Sequence, residues 1–261
     1  MIDSHCHLDF AAFDPDRSAI LQQCHTLGIS DILVPGVQRA TWSKVQTLAK
    51  QSLSSLSPPQ PQIHISLGLH PYFLDNYNDD DLEVLAQCYA EDPQRYVALG
   101  EIGIDGAINI PLALQTEVFE QQLLLAQKFN KPVIIHHRKS QSVILQSLKR
   151  CQFDQGGVLH AFSGNLQQAQ QFIDRGFKLG IGGTITYPRA QTTRLTVSQL
   201  PLSSLLLETD APDMPLQGFQ GQRNCPTRLP LVLQQLAQLR NESIEEVAHV
   251  TSQNFRELFR L

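Results

Sequence analysis

The first ten residues, MIDSHCHLDF, place His5 and His7 two positions apart between Asp3 and Asp9. Four more potential metal donors follow: Glu101 in ALGEIGID, His136 in VIIHHR, His160 in VLHAF and Asp210 in LLLETDAP. Imidazole nitrogen and carboxylate oxygen are the donors that hold divalent ions in hydrolytic sites. Four imidazoles and two carboxylates exceed the three protein ligands and one water of a single catalytic zinc. Two ions about 3.5–4 Å apart, sharing a carboxylate, would use all six. Such a pair makes hydroxide available near neutral pH and offsets charge on phosphoryl or carbonyl oxygens under attack. Mixed nitrogen and oxygen donors suit Zn²⁺, Mn²⁺ or Fe²⁺, with oxygen-preferring Mg²⁺ a weaker fit.

These donors must be brought together by regular elements. Short apolar, β-branched runs predict strands at 2–5, 31–37, 63–70, 96–104, 132–137, 156–162, 177–183 and 204–210. Several are near-continuous apolar runs, as expected of parallel strands buried on both faces. Amphipathic stretches between them predict helices at 17–27, 82–91, 116–129, 140–151 and 166–175. A last helix is predicted at 243–258, where Ser243 and Glu246 have capping-box spacing. Eight strands alternating with helices match the rhythm of a (β/α)₈ TIM barrel over residues 1–261; a doubly wound open sheet shares that local rhythm. In a barrel every donor above falls at the C-terminal end of its strand, the face where active sites are built.

Alternation along a strand points His5 and His7 to one side and Cys6 to the other, and Cys6 has no partner cysteine for a structural zinc site. Of His136 and His137 only one can face the barrel interior, and counting does not say which. SLSSLSPPQPQ (52–62) reads as a surface loop between a helix and a strand. The Pro- and Gly-rich segment 211–228 has no periodicity, and a loop of that length reads as a functional lid.

Composition bounds the function further. The chain has 261 residues, 42% hydrophobic and 17% charged, which is the profile of a folded globular protein in one large domain. The formal charge of −5 lacks the basic excess of proteins that hold long duplexes by phosphate neutralisation. The five cysteines are scattered with no C-x-x-C pair, no signal peptide is visible and no apolar run approaches a membrane span. A cytoplasmic, monomeric protein with no membrane partner is the expectation.

The stretches DSHCHLDF, GLHP, GEIGID, PVIIHHR, VLHAFSG and ETDAP, running from residue 3 to 212, closely resemble the TatD-type metal-dependent hydrolases, a deoxyribonuclease-related branch of the amidohydrolase superfamily. GGTITYPRA and ETDAPDMPLQGFQGQ look most like its YjjV-type subgroup. The resemblance implies a TIM barrel with a binuclear site. His5 and His7 would hold the first ion, His136 and His160 the second, and Glu101 would bridge them. Asp210 would bind the first ion and orient or deprotonate the attacking water. The family's H-x-R pattern maps onto His136 and Arg138, leaving His137 in the variable position. Asn224-Cys225-Pro226 matches the family's N-x-P near the lid.

Around this set, His70 of GLHP and Arg138 are expected to bind substrate, Arg138 by clamping a phosphate oxygen. Asp3 is a candidate partner for a ligating histidine. His64 is expected to be structural, and His25 and His249 solvated or packed on helices. Arg189, Arg194 and Arg223 are further candidates for phosphate contacts. The expected reaction is phosphoester hydrolysis by metal-activated water, with a DNA end, a short single strand or a small phosphoester as substrate. An amide- or lactone-cleaving amidohydrolase is the alternative. Many of those use a carboxylated lysine as the bridge, whereas here strand four offers Glu101 and Lys131 only precedes its strand. A metal-stabilised scaffold without turnover is disfavoured, because a structural site has no need of the water-activating acid Asp210.

Overall fold

A computed structural model describes residues 1–54 and 59–261. Among them, eight parallel strands run in the order of the chain: β1 (Ile2–Asp3), β2 (Asp31–Gly36), β3 (Gln62–Leu67), β4 (Ala98–Asp105), β5 (Val133–Arg138), β6 (Gly157–Leu159), β7 (Phe177–Ile181) and β8 (Leu205–Leu207). Sequential order of parallel strands is the mark of a barrel and excludes the doubly wound alternative. The seam between β8 and β1 is closed by single bonds: the amides of Ser4, His7 and Asp210 donate to the carbonyls of Leu207, Ala211 and His5 at 2.9, 2.8 and 2.9 Å.

The connecting helices are α1 (Arg17–Thr26), α2 (Arg39–Ser54), α3 (Asp80–Glu91), α4 (Leu112–Lys128), α5 (Gln141–Arg150), α6 (Leu166–Ile173), α7 (Gln191–Gln199), α8 (Leu229–Arg240) and α9 (Ile244–Phe259). The six predicted helices are all present, with ends shifted by up to a turn. At α9 the Ser243 hydroxyl accepts the Glu246 amide at 3.1 Å, which is the Ser243 half of the predicted capping box. Of the segment predicted as a surface loop, residues 55–58 lie outside the described residues; α2 ends at Ser54 and β3 begins at Gln62.

Alternation divides the strand residues between two apolar regions. Ile32, Val34, Ile135, Leu159 and Leu179 pack outward beneath the helices. Ile2, Leu33, Ala98, Ile134, Val158 and Leu206 fill the barrel interior, and Phe255 and Phe259 of α9 close this layer from below. Their rings lie 4.7 Å apart, edge to face. His64 is buried at this end, its Nε2 2.9 Å from Asp31 Oδ1, which is a structural role. His25 and His249 sit exposed on α1 and α9. Inward-facing residues further along the same strands rise toward the mouth, where polar groups replace apolar ones.

Candidate metal centre

Glu101 is the hub. It sits on β4 where the register against β5 shifts between Leu99 and Ile102, a bulge that re-aims the side chain. Gly103, two residues on, has φ of +148°, and a Cβ there would meet the His136 carbonyl at 2.1 Å. Only glycine lets the two strand ends approach this closely.

The Glu101 carboxylate is 1% exposed, and its oxygens face different histidines. Oε2 lies 3.3 Å from His5 Nε2 and 3.4 Å from His7 Nε2. Oε1 lies 2.9 Å from His160 Nε2, 3.3 Å from His70 Nε2 and 3.5 Å from His136 Nδ1. Asp210 stands on the His5–His7 side, its Oδ1 3.7 and 3.8 Å from their Nε2 atoms. All eight predicted site residues lie at the C-terminal mouth, seven of them in this cluster. Arg138 is set apart: it is exposed at the end of β5, and its guanidinium donates to the Tyr72 hydroxyl at 3.2 Å.

The structure also separates neighbours that counting could not. His136 turns toward Glu101, while His137 turns away, its Nδ1 3.3 Å from Gln141 Nε2. Cys6 is fully buried in the outer apolar core. Asp3 approaches the backbone of His5 rather than its ring: it accepts the amides of His5 at 3.3 Å and Thr209 at 3.0 Å, and the Thr209 hydroxyl at 2.6 Å. It thus ties β1 to the residue before Asp210. Arg194 and Arg223 are engaged elsewhere, by the Ile185 carbonyl and by Asp16, while Arg189 lies over the Tyr187 ring at 4.8 Å.

Two carboxylates escaped the sequence reading. Asp105 is fully buried and its Oδ2 lies 3.0 Å from His136 Nε2. Glu208 is also fully buried; its Oε1 accepts the Ala161 amide at 2.5 Å and lies 3.7 Å from His160 Nδ1. Each is spaced by an even number from a named residue, Asp105 from Glu101 and Glu208 from Asp210. Period-two alternation was the signal that could have found them. Gly180 on β7 makes room for Glu208, since a Cβ there would fall 2.0 Å from Oε2. The segment predicted as a lid is pinned by Asn224, whose amide group donates to the carbonyls of Thr209 at 2.8 Å and Met214 at 3.3 Å. Two buried glutamines of α4 brace the mouth: Gln122 pairs with both backbone groups of Leu69, and Gln115 with both of Asp105.

The electrostatics suit a cation. Burial opposes ionisation of Glu101, but His70, His160 and His5 outweigh it and hold the carboxyl well below its usual range. Burial pushes Asp210 up to about 6 and His5 down to about 3. For His7 burial is outweighed by Glu101 and Asp210, which raise it to about 9. Geometry supplies the sharper test. His5 Nε2 and His7 Nε2 face each other at 3.2 Å beside the same carboxylate oxygen. Donors sharing one ion at bond lengths of about 2.0–2.1 Å stand roughly 3.3 Å apart in a tetrahedral arrangement. The buried Glu101 Oε2 has no hydrogen-bond donor. This donor set fits divalent metal. Three groupings within it could hold an ion: His5, His7 and Asp210; His5, His160 and Glu208; and His70, Glu101 and His136.

The family model described as TatD related DNase matches residues 2–260. The chain belongs to the TatD family. It is 43% identical over 259 residues to an uncharacterized metal-dependent hydrolase, YjjV, of Escherichia coli K12, covering 99% of this chain and 97% of that one. A metal-dependent hydrolase of Haemophilus influenzae is 38% identical, covering 98% of each. The crystal structure of E. coli YjjV superposes with a TM-score of 0.93 at 42% identity, over 100% of this chain and 98% of that one. A TatD-family hydrolase from Entamoeba histolytica shares the fold at a TM-score of 0.86 and 20% identity. This TatD-family protein is a metal-dependent hydrolase with a TIM-barrel fold. Among its described residues no helix is long and apolar enough to cross a membrane.

Proposed function

We propose that this TatD-family hydrolase cleaves phosphoester bonds, as a deoxyribonuclease acting on a DNA end or a short single strand, with two divalent ions in its site. The observation that carries this reading is the division of imidazoles between the two oxygens of Glu101. His5 and His7, with Asp210, stand on one side, and His136 and His160 on the other. A carboxylate so placed is suited to bridge two ions, with Zn²⁺ or Mn²⁺ preferred over Mg²⁺ by the nitrogen-rich set.

Bound there, the ions supply Lewis-acid charge to the phosphoryl group and ease deprotonation of water. The protein's own groups do the rest. Asp210 orients the attacking water and accepts its proton, a task favoured by burial that raises its proton affinity toward neutrality. Arg138, at the rim and steadied by the Tyr72 hydroxyl, takes a phosphate oxygen as the substrate enters. His70, which faces the same oxygen of Glu101 as His136 and His160, contacts the substrate in this reading. With a net charge of −5, binding relies on this local grip rather than on a long footprint along duplex DNA. For the alternative of an amide- or lactone-cleaving amidohydrolase, the carboxylated-lysine bridge that many of them use is not offered by Lys131, which precedes β5 at the opposite end of that strand from His136.

The reading is tested with single-stranded oligonucleotides and bis(p-nitrophenyl) phosphate, on protein reconstituted with Zn²⁺ or Mn²⁺. Glu101→Ala and His136→Ala are expected to lose bound metal and at least a hundredfold in activity. Full metal-dependent phosphodiesterase activity in either variant would sink the proposal.

A further inference from the structure

His70 and His136 approach the same oxygen of Glu101 almost symmetrically, at 3.3 and 3.5 Å, with ring centroids 4.4 Å apart. Distances alone make both of them metal ligands. The far nitrogen of each ring separates them. His136 Nε2 faces the carboxylate of Asp105, which only accepts, so Nε2 carries the proton and Nδ1 presents its lone pair to the site. His70 is the reverse. Its Nδ1 accepts the backbone amide of Tyr72 at 3.1 Å, and a backbone amide only donates. Nδ1 is therefore bare, and in the neutral ring the proton sits on Nε2, the atom that faces the site. A doubly protonated ring would set N–H against N–H at Tyr72.

The arrangement is built into the chain. Pro71 has no amide hydrogen, so the Tyr72 amide, in the first turn of the 3₁₀ segment Pro71–Asn76, is the first available to the His70 ring. The backbone of the neighbouring Leu69 is clamped by Gln122. The Nε2–Oε1 distance of 3.3 Å lies at the long end for an N–H···O bond, so Glu101 holds the proton weakly and a nearer acceptor can take it. A cavity of about 330 Å³ lined by His70, Leu69, Phe73 and Arg39 opens between the loops that follow β2 and β3.

We propose that His70 is a catalytic hydrogen-bond donor, its Nε2–H aimed at a substrate oxygen that gains negative charge, and that it is not a metal ligand. The substrate class is an oxyanion ester, with a non-bridging phosphoryl oxygen as the acceptor; this rests on the hydrolase reading above. A neutral, backbone-fixed donor stabilises charge as it develops without having to reorganise.

The experiment uses the full chain loaded with Zn²⁺, with His70→Ala, His70→Gln and His136→Ala. Metal content after gel filtration, kcat and KM on bis(p-nitrophenyl) phosphate, and long-range ¹H–¹⁵N spectra of the histidines are read together. His70→Ala is expected to keep the wild-type metal content while kcat falls by about 10²–10³, the typical loss for one such donor. His70→Gln, whose amide N–H reaches toward the same point, should recover part of that loss and carries the comparison should the alanine variant fold poorly. The spectra should show His70 protonated on Nε2. Loss of a metal equivalent in His70→Ala, as in His136→Ala, overturns the proposal, as does an Nδ1-protonated ring or an unchanged kcat at full metal content. A wild type inactive on phosphodiesters overturns the phosphoesterase reading instead, while the metal count and the spectra still decide whether His70 is donor or ligand.

Discussion

A metal-ligating histidine is commonly tuned by the group that holds its other nitrogen. For His136 that group is Asp105, which accepts from Nε2 and also from the Ala107 amide at 2.8 Å. Asp105→Asn keeps a neutral acceptor and the Ala107 contact; Asp105→Ala keeps neither. Metal affinity is expected to fall about tenfold in the first and up to about 100-fold in the second, read by competition with a chelating dye. Wild-type affinity in both would show that Asp105 does not tune the site. The contrast also marks how far residues could be read in advance. His5, His7, Glu101, His160 and Asp210 could be picked out as candidates because each falls at the C-terminal end of a strand predicted from the sequence, in a known motif. His136 and His137 were not separable by counting, because adjacent residues on a strand take opposite faces and nothing local fixes the phase. A tautomer such as that proposed for His70 depends on the amide two residues away, which is brought to the ring only by folding.

At the scale of elements, the strands were the most legible features, since buried parallel strands leave unbroken apolar runs. Their lengths were overestimated: β1, β6 and β8 are two or three residues long, and the candidate site residues follow them in irregular backbone. Asp210 itself has φ of +54°, outside strand geometry, because its amide must reach the His5 carbonyl across the seam. Helix α7, with three threonines in nine residues, gives little helical signal and is set by its place in the barrel instead. At the opposite end, Asp31 joins β2 to His64 and Arg256. Burial opposes its ionisation, but bonds from His64 and Ser30 prevail and hold its carboxyl below the ordinary 3.8. A carboxyl depressed in the folded state stabilises above its unfolded value, and that gain disappears as pH falls through the folded one. Asp31→Asn should therefore cost about 1–2 kcal/mol near neutrality, and the gap to wild type should close below about pH 4. Urea melts across pH 3–7 measure it, and a gap that widened in acid would contradict the assignment.

For the whole molecule, the metal centre is also a joint, since it draws together segments from β1, β3, β4, β5, β6 and β8. Ions that bind only the folded chain stabilise it by mass action, by roughly 2.7 kcal/mol at a hundredfold excess over Kd. For a chain of this size that corresponds to about 5–10 °C in Tm. Stripping the metal with a chelator and re-adding Zn²⁺ or Mn²⁺ should move the melting curve down and back by that amount. An unmoved curve would mean that the ions do not bind the folded chain in preference to the unfolded one.

The aromatic pair Phe255 and Phe259 gives the barrel a floor. Because apolar side chains fill the barrel beneath the site, it opens only at the mouth, so whatever leaves after a turnover must back out past the groups that admitted it. On the proposed phosphoesterase reading, each cleaved fragment still bearing a phosphate would compete with the next substrate for Arg138 and the candidate metal centre. Progress curves should bend early as product accumulates, and added mononucleotide should raise KM while leaving kcat unchanged.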